Sequence, residues 1–143
     1  MGNTKPIGVA YSDQDISGAD NLSAADIYAT DELGYSAAAQ GAVTQLTSKS
    51  TAVTLNKSAG QITMNNATIP ANDVVAFTLN NSLISAKDTL IVNIGSGATT
   101  PGQYTTYVTS LTSGAAIIAV RNLVGTTSPG DTLVLNYAII HCA

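Results

Sequence analysis

Charged side chains are scarce in this chain. Asp, Glu, Lys and Arg make up 10% of its 143 residues, against about 25% in an average soluble domain. Thr, Ser, Asn and Gln supply the polarity instead, so the charge-mixed surface of a free monomer is missing. Clustered Lys and Arg are missing too, which argues against nucleic-acid binding. The composition favours a protein that works against other protein surfaces; the alternative is a soluble domain with a neutral, hydroxyl-rich surface.

The residues that most enzyme chemistry needs are equally few. The one cysteine, Cys142, excludes an internal disulfide, and it sits beside the one histidine, His141. Neighbours on a strand point to opposite faces, so this pair does not form a nucleophile and its base, and it cannot fill a four-ligand zinc site. Asp73, Asp88 and Asp131 lie in turn-like sequences, where Asp serves the backbone. We therefore predict no enzyme, no cofactor and no metal or catalytic residues; a small hydrolase, the weak alternative, would have to use His141.

One short motif resembles a calcium loop. Asp13-x-Asp15-x-Ser17-Gly18 places oxygen ligands and a glycine as an EF-hand loop begins. The twelfth position is Ala24, where a bidentate Glu is required, and no helical pattern precedes the motif. An Asx-type turn is the better interpretation.

Long apolar runs are also absent. No stretch approaches the about 18 apolar residues of a membrane span. The first residues lack the basic and then apolar pattern of a signal peptide. We expect a chain that is made in a cytosol and has no membrane partner.

The few charges are unevenly placed. Residues 1–36 hold six acidic side chains against one lysine, a net charge of −5, whereas residues 37–143 hold three acidic and four basic side chains, a net charge of +1. Such an asymmetry indicates two roles within one chain. We predict an N-terminal arm over residues 1–36 and a folded domain, called the body below, over residues 37–143.

The arm has too few large apolar residues to fold alone, so it must pack on the body or on a partner. Residues 6–11 alternate in a way that would let them add as a strand to a sheet edge. The tyrosines of the arm are suited to interface contacts. The candidate interface residues are Pro6, Ile7, Val9, Tyr11, Ile16, Leu22, Ile27, Tyr28, Leu33 and Tyr35.

The body is a series of short alternating segments rich in Val, Ile, Leu and Thr, separated by Gly, Pro, Asn and Ser. The fold class that follows is all-β: an antiparallel β-sandwich or jelly roll of about eight strands, preceded by the extended arm. The predicted strands cover residues 43–48, 53–56, 61–65, 74–79, 89–94, 103–111, 116–123 and 132–140. A hairpin tip is predicted at Thr112-Ser113-Gly114.

The predicted core is aliphatic, with one Phe and no Trp in the chain. A core this modest favours oligomerisation, as a trimer or a dimer, because contact between copies buries additional apolar area. The core residues are Val53, Leu55, Ile62, Met64, Val75, Phe77, Leu79, Leu90, Val92, Ile94, Val108, Ile118, Val120, Leu133, Leu135 and Tyr137.

Several segments of the body, taken together, carry a resemblance to a known family. They are residues 41–51, 53–57, 60–65, 89–94, 120–123 and 133–140. They resemble a β-rich module of tailed bacteriophages that occurs in capsid decoration (cement) proteins, head fibres and tail-fibre tips. The opening residues 5–11, with Asp13-Gln14-Asp15, are similar to the start of such virion proteins, including those of cyanophages.

The resemblance implies a non-catalytic virion protein, made in the host cytoplasm and assembled as a homotrimer. With a short arm and no fibre shaft, the chain fits a decoration protein that binds the major capsid protein on the outer capsid surface and stabilises the shell. The alternative is a head-fibre or tail-fibre receptor-binding tip, with residues 95–102 and 126–131 contacting host glycans. Copy number in the virion separates the two.

Overall fold

The computed structural model describes residues 26, 28–29, 31–127 and 129–142. Residue contacts divide the chain into two units, Met1–Leu33 and Gly34–Ala143. The described part is all-β, as predicted: one 3-10 turn at Ala37–Ala39 is its only helical element. The strands are β1 (Gln40–Thr44), β2 (Val53–Thr54), β3 (Ala59–Thr63), β4 (Val74–Asn80), β5 (Thr89–Ser96), β6 (Tyr104–Thr112), β7 (Ala115–Asn122) and β8 (Val134–Ile140).

The eight strands form two four-stranded sheets. The first sheet has the order β1-β3-β8-β5 and the second has the order β2-β4-β7-β6. The prediction of an antiparallel arrangement is wrong at two pairings, because β1 runs parallel to β3 and β2 runs parallel to β4. The chain visits the second sheet at β2 before it returns to the first at β3, and such a crossover lets strands align in parallel. The other pairings are antiparallel.

Two early strands begin and end sooner than predicted. β1 stops at Thr44, and Gln45 instead turns its side-chain amide to the carbonyls of Lys49 and Thr51. β3 starts at Ala59 and includes Gly60, although glycine is a poor strand former. The cause is close approach of the backbones, since a Cβ on Gly60 would lie 2.7 Å from the carbonyl oxygen of Gly41 on β1.

The core lies among side chains of both sheets. All sixteen predicted core residues belong to it or pack against it. Alternation of burial along β7 and β8 accounts for this, because every second residue of a strand points to the same side. The core also takes in residues that the prediction missed, which are Ile69, Ile84, Tyr104, Ala116 and Ile139.

The predicted hairpin between the two longest antiparallel partners is confirmed. β6 and β7 meet at a turn of Ser113 and Gly114, and Gly114 has φ +82°. The turn is tied to the β4–β5 connection: the Gly114 N–H donates to Ile84 O, and the Asn81 N–H donates to Gly114 O. These bonds close one end of the body.

Candidate functional site

The candidate interface residues of the arm are described only in part. Seven of them, which are Pro6, Ile7, Val9, Tyr11, Ile16, Leu22 and Ile27, lie outside the described residues. Tyr28 and Leu33 are 86% and 88% exposed. Side chains of this size and apolarity, left almost wholly in water, are available for contact with a partner.

Tyr35 has a different role from its neighbours in the predicted arm. It belongs to the second unit, Gly34–Ala143, and its hydroxyl donates to the carbonyl of Ile139 on β8. The side-chain amide of Gln40 donates to the Tyr35 carbonyl at 2.7 Å. Tyr35 therefore anchors the start of the body on the first sheet, while its ring remains 38% exposed.

The strands carry almost no charge. Among the residues of β1 to β8, Arg121 on β7 is the only Lys, Arg, Asp, Glu or His. The other charged groups of the body lie in connections or after β8. Both sheets therefore present faces built from Thr, Ser, Asn, Gln and aliphatic side chains, a composition depleted of charge as the cores of protein interfaces are.

A buried lysine lies at the end of the body where β1 and β3 finish. Lys49 is 2% exposed, and its Nζ donates to the backbone carbonyls of Asn65 and Asp131. Gln45 holds the same segment, because its Nε2 donates to Lys49 O at 3.1 Å and to Thr51 O at 2.8 Å. Three connections of the chain thus meet at one cation.

Burial lowers the pKa of Lys49, and the negative charge of Asp131 opposes this shift. Two backbone carbonyls bind the ammonium group, and the side chain is almost inaccessible to water. A nucleophilic or Schiff-base lysine has to contact its substrate, and a lysine buried in this way does not. Lys49 therefore has a structural role: its hydrogen bonds join the 46–51 connection to the connections before β4 and β8.

Asp131 links the two loops that the sequence suggested for receptor contact. Its carboxylate accepts hydrogen bonds from the Thr99 hydroxyl at 2.6 Å and from the Thr99 N–H at 3.0 Å. These bonds, led by the hydroxyl, lower the pKa of Asp131. The loops around Thr99 and Asp131 therefore form one surface at this end of the body.

The structure brings His141 to a carboxylate, which sequence analysis did not predict. Its Nδ1 lies 2.9 Å from Oδ2 of Asp88, a residue 53 positions earlier. Asp88 also accepts bonds from the Ser85 N–H, the Ser85 hydroxyl and the Cys142 N–H, and the first of these is the main cause that brings its pKa to about 2. The Cys142 thiol donates to the Ile140 carbonyl, with 4.0 Å between Sγ and the oxygen. The cluster fastens the chain after β8.

A buried amide, that of Asn122, also joins several connections, and its surroundings carry no sequence signal. Asn122 is fully buried, and its Nδ2 donates to the carbonyls of Ile69, Pro70 and Thr127. Its Oδ1 accepts the Val124 N–H at 3.0 Å. An Asn at the end of a strand is ordinarily an exposed turn residue, so the sequence alone does not predict that Asn122 is buried.

The two buried tyrosines should differ in how much stability is lost when each is replaced by phenylalanine. The Tyr137 hydroxyl lies 3.0 Å from Lys57 O and 3.2 Å from Leu55 O, and it accepts from Asn81 Nδ2. The Tyr104 hydroxyl is buried, and no hydrogen bond of normal geometry joins it to a described residue, although it interacts with the Asp131 carboxylate. We expect Tyr137→Phe to lower the free energy of unfolding by about 2 kcal/mol and Tyr104→Phe to change it by less than about 0.5 kcal/mol, because Asp131 keeps both of its bonds from Thr99 when the Tyr104 hydroxyl is removed. Urea denaturation at pH 7 measures both.

Alkaline pH provides the control for this pair. Burial raises the pKa of both tyrosines to about 12, with the charge of Asp131 adding to the shift at Tyr104. A tyrosine whose pKa rises on folding contributes stability that is complete below its unfolded pKa of about 10 and is lost as pH rises towards 12. Each Phe variant should therefore lose less stability than the wild type between pH 9 and pH 11. Equal losses at pH 7 for the two variants would contradict the difference in bonding.

Neither a metal cluster nor a membrane-spanning helix occurs in the described part of the chain. No three His, Cys, Asp or Glu side chains lie together there in a way that could hold a metal ion. No helix there has the length and apolarity needed to cross a bilayer.

Comparison with family models, with curated proteins and with solved structures found no match.

Proposed function

We propose that this chain is a capsid decoration protein of a tailed bacteriophage. It binds the major capsid protein on the outer surface of the shell, stabilises the shell, and does so as a homotrimer. The observation that carries the proposal is the near-absence of charge along all eight strands, where Arg121 alone is charged. Surfaces of this kind suit permanent contact with other subunits.

We also propose that the two sheets form a sandwich of the jelly-roll type. One mixed core supports this, since β7 of the second sheet and β8 of the first both send alternate side chains into it. The connectivity supports it too, because every connection except the β6–β7 hairpin passes from one sheet to the other. Such crossings are typical of double-sheet Greek-key arrangements.

The arm supplies the attachment in this proposal. Residues 1–36 carry the net charge of −5, and the described apolar residues Tyr28 and Leu33 are almost fully exposed. The three arms of one trimer would bind the same shell simultaneously, so the overall affinity would exceed that of each weak contact.

A binding experiment with empty shells tests the proposal. Shells of the phage that carries the gene are prepared without this protein and mixed with the wild-type chain or with the Tyr28→Ser/Leu33→Ser variant. We expect the wild type to co-sediment with shells and to raise their disruption temperature. The double variant should bind at least about tenfold more weakly, since two exposed apolar contacts are removed.

Leu46→Ser is the matched control. Leu46 is 84% exposed on the body, so the change removes an equally exposed apolar side chain outside the arm. It should bind shells as the wild type does. A wild-type chain with no affinity for shells would overturn the proposal, and a double variant that binds normally would overturn the role of the arm.

A second candidate function, a receptor-binding fibre tip, has one observation in its favour. The bonds between Asp131 and Thr99 join the loops at residues 95–102 and 126–131 into one surface. A tip would occur in a few to a few tens of copies per virion, whereas a decoration protein occurs in hundreds. Quantitative mass spectrometry of purified virions separates these outcomes.

A further inference from the structure

Among the described residues, the strand positions that form the outer face of the first sheet include no charged side chain. Every second residue of β1, β3, β8 and β5 points to this face, and none of these residues is Asp, Glu, Lys, Arg or His. The second sheet differs, because its outer face includes Arg121. Two hydroxyls there, on Thr109 and Thr112, already donate to carbonyls of the neighbouring strand β7. The first sheet therefore has the more completely neutral face.

The two margins of this face have different shapes. Over β1, β3 and β8 lies a depression of about 600 Å³, lined by small or amide residues such as Ala42, Ala59 and Gln61. At the other margin, Ile91 on β5 and Ile140 on β8 are each 50% exposed. Ile91 is paired with Ala138 and Ile140 with Thr89, so the two isoleucines are diagonal neighbours. They form an apolar ridge.

Side-chain amides cross the face between these margins. Gln61 Nε2 donates to Asn136 Oδ1 at 3.0 Å, and Asn93 lies opposite Asn136 in the register of β5 and β8. Each amide is both a donor and an acceptor, so an amide row can bond to another amide row. A charged partner surface would lose hydration here and find no opposite charge to replace it.

We propose that this face is the contact between copies of the chain, with the ridge of Ile91 and Ile140 in one copy entering the depression beside Ala42 and Gln61 in the next. Because the ridge and the depression occupy opposite margins of one face, each copy can meet one neighbour with its ridge and another with its depression, and in the proposed trimer three such head-to-tail contacts close a ring. The inference rests on the self-association in the proposed function and not on shell binding. We infer that the partner is a second copy of the chain because the ridge and the depression lie on the same neutral face.

Charge insertion tests the face with two matched pairs of variants. Ala42→Glu and Ile91→Glu place a carboxylate on the proposed contact, whereas Ala76→Glu and Ile117→Glu place it at outward, exposed strand positions of the second sheet. Light scattering after size-exclusion chromatography gives the oligomeric state, and circular dichroism monitors the fold. We expect the wild type to be an oligomer. The dissociation constant of the oligomer should rise at least about tenfold in Ala42→Glu and Ile91→Glu, and it should not change in Ala76→Glu and Ile117→Glu.

Disulfide trapping tests the direction of the contact and does not depend on dissociation. In a Cys142→Ser background, Ile91→Cys combined with Gln61→Cys should link copies on mild oxidation, and either cysteine alone should not. Linkage through Ile91→Cys alone would mean that ridge meets ridge and would overturn the head-to-tail contact. An oligomer unaffected by Ala42→Glu and Ile91→Glu would overturn the face while leaving self-association standing.

Two further outcomes separate this inference from the proposed function. A wild-type monomer at micromolar concentration would overturn both the face and the proposed trimer, and shell binding would then be judged by co-sedimentation alone. If Ala42→Glu remains oligomeric but no longer binds shells, the face docks on the capsid and not on a second copy, which also overturns the inference.

Discussion

Replacing Gly97 by alanine will destabilise the body far more than replacing Gly102 by alanine. Both glycines have positive φ, +91° and +76°, so a side chain strains the backbone at either position. Only at Gly97 does the new Cβ meet other atoms: it would overlap the Thr132 carbonyl and lie 2.9 Å from Leu133 Cα. We expect a loss of about 4 kcal/mol for Gly97→Ala and about 1 kcal/mol for Gly102→Ala. Urea denaturation measures both.

Gly102→Ala is the control because no atom of the described residues lies within 4 Å of its Cβ position. It isolates the cost of positive φ, and the difference between the two variants isolates the clash. The clash is with backbone, which cannot move aside as a flexible side chain would. Similar losses for both variants would mean that the loop after β5 does not lie against Thr132 and Leu133, the residues just before β8.

The core was predictable because it follows from alternation alone. In β4 and β8, apolar residues recur at every second position, and a strand with one buried face requires this pattern. The parallel edge pairings were not predictable, because alternation does not encode which strand lies beside which. The position of β3 was missed for a related reason: Gly60 is accepted in a strand only because the Gly41 backbone approaches it.

The polar clusters could not be predicted from local sequence. Lys49 and Asp88 lie in segments that resemble exposed turns, and Asn122 lies near the end of a predicted strand, yet each is buried and bonded to groups far away in the chain. Their burial depends on which connections meet at the ends of the body, and the sheet order decides this. Of the arm, the exposure of Tyr28 and Leu33 accords with the predicted interface, while the contact itself stays a prediction.

Replacing Lys49 by methionine will lower the free energy of unfolding by about 3 kcal/mol. Methionine keeps most of the volume, so the change removes the Nζ donor without leaving a large cavity. The carbonyls of Asn65 and Asp131 then lose their buried donor, at about 1–2 kcal/mol each. The Asp131 carboxylate also loses the favourable charge of the Lys49 ammonium group. Thermal and urea denaturation at pH 7 measure the loss.

Lys57→Met is the matched control, because Lys57 Nζ also donates to a backbone carbonyl, that of Ala38 at 2.8 Å, but in an exposed setting. Water replaces that donor, so the loss should stay below about 0.5 kcal/mol.

The pH dependence of stability adds a second test of Lys49. Because its pKa is lowered in the fold, Lys49 releases its proton in the folded chain before it does in the unfolded chain, so its contribution to stability grows as pH rises towards 10.5, alongside the opposing loss from the buried tyrosines above about pH 10. Lys49→Met should lack this gain. A methionine variant as stable as the wild type would show that the three connections are held together without the cation.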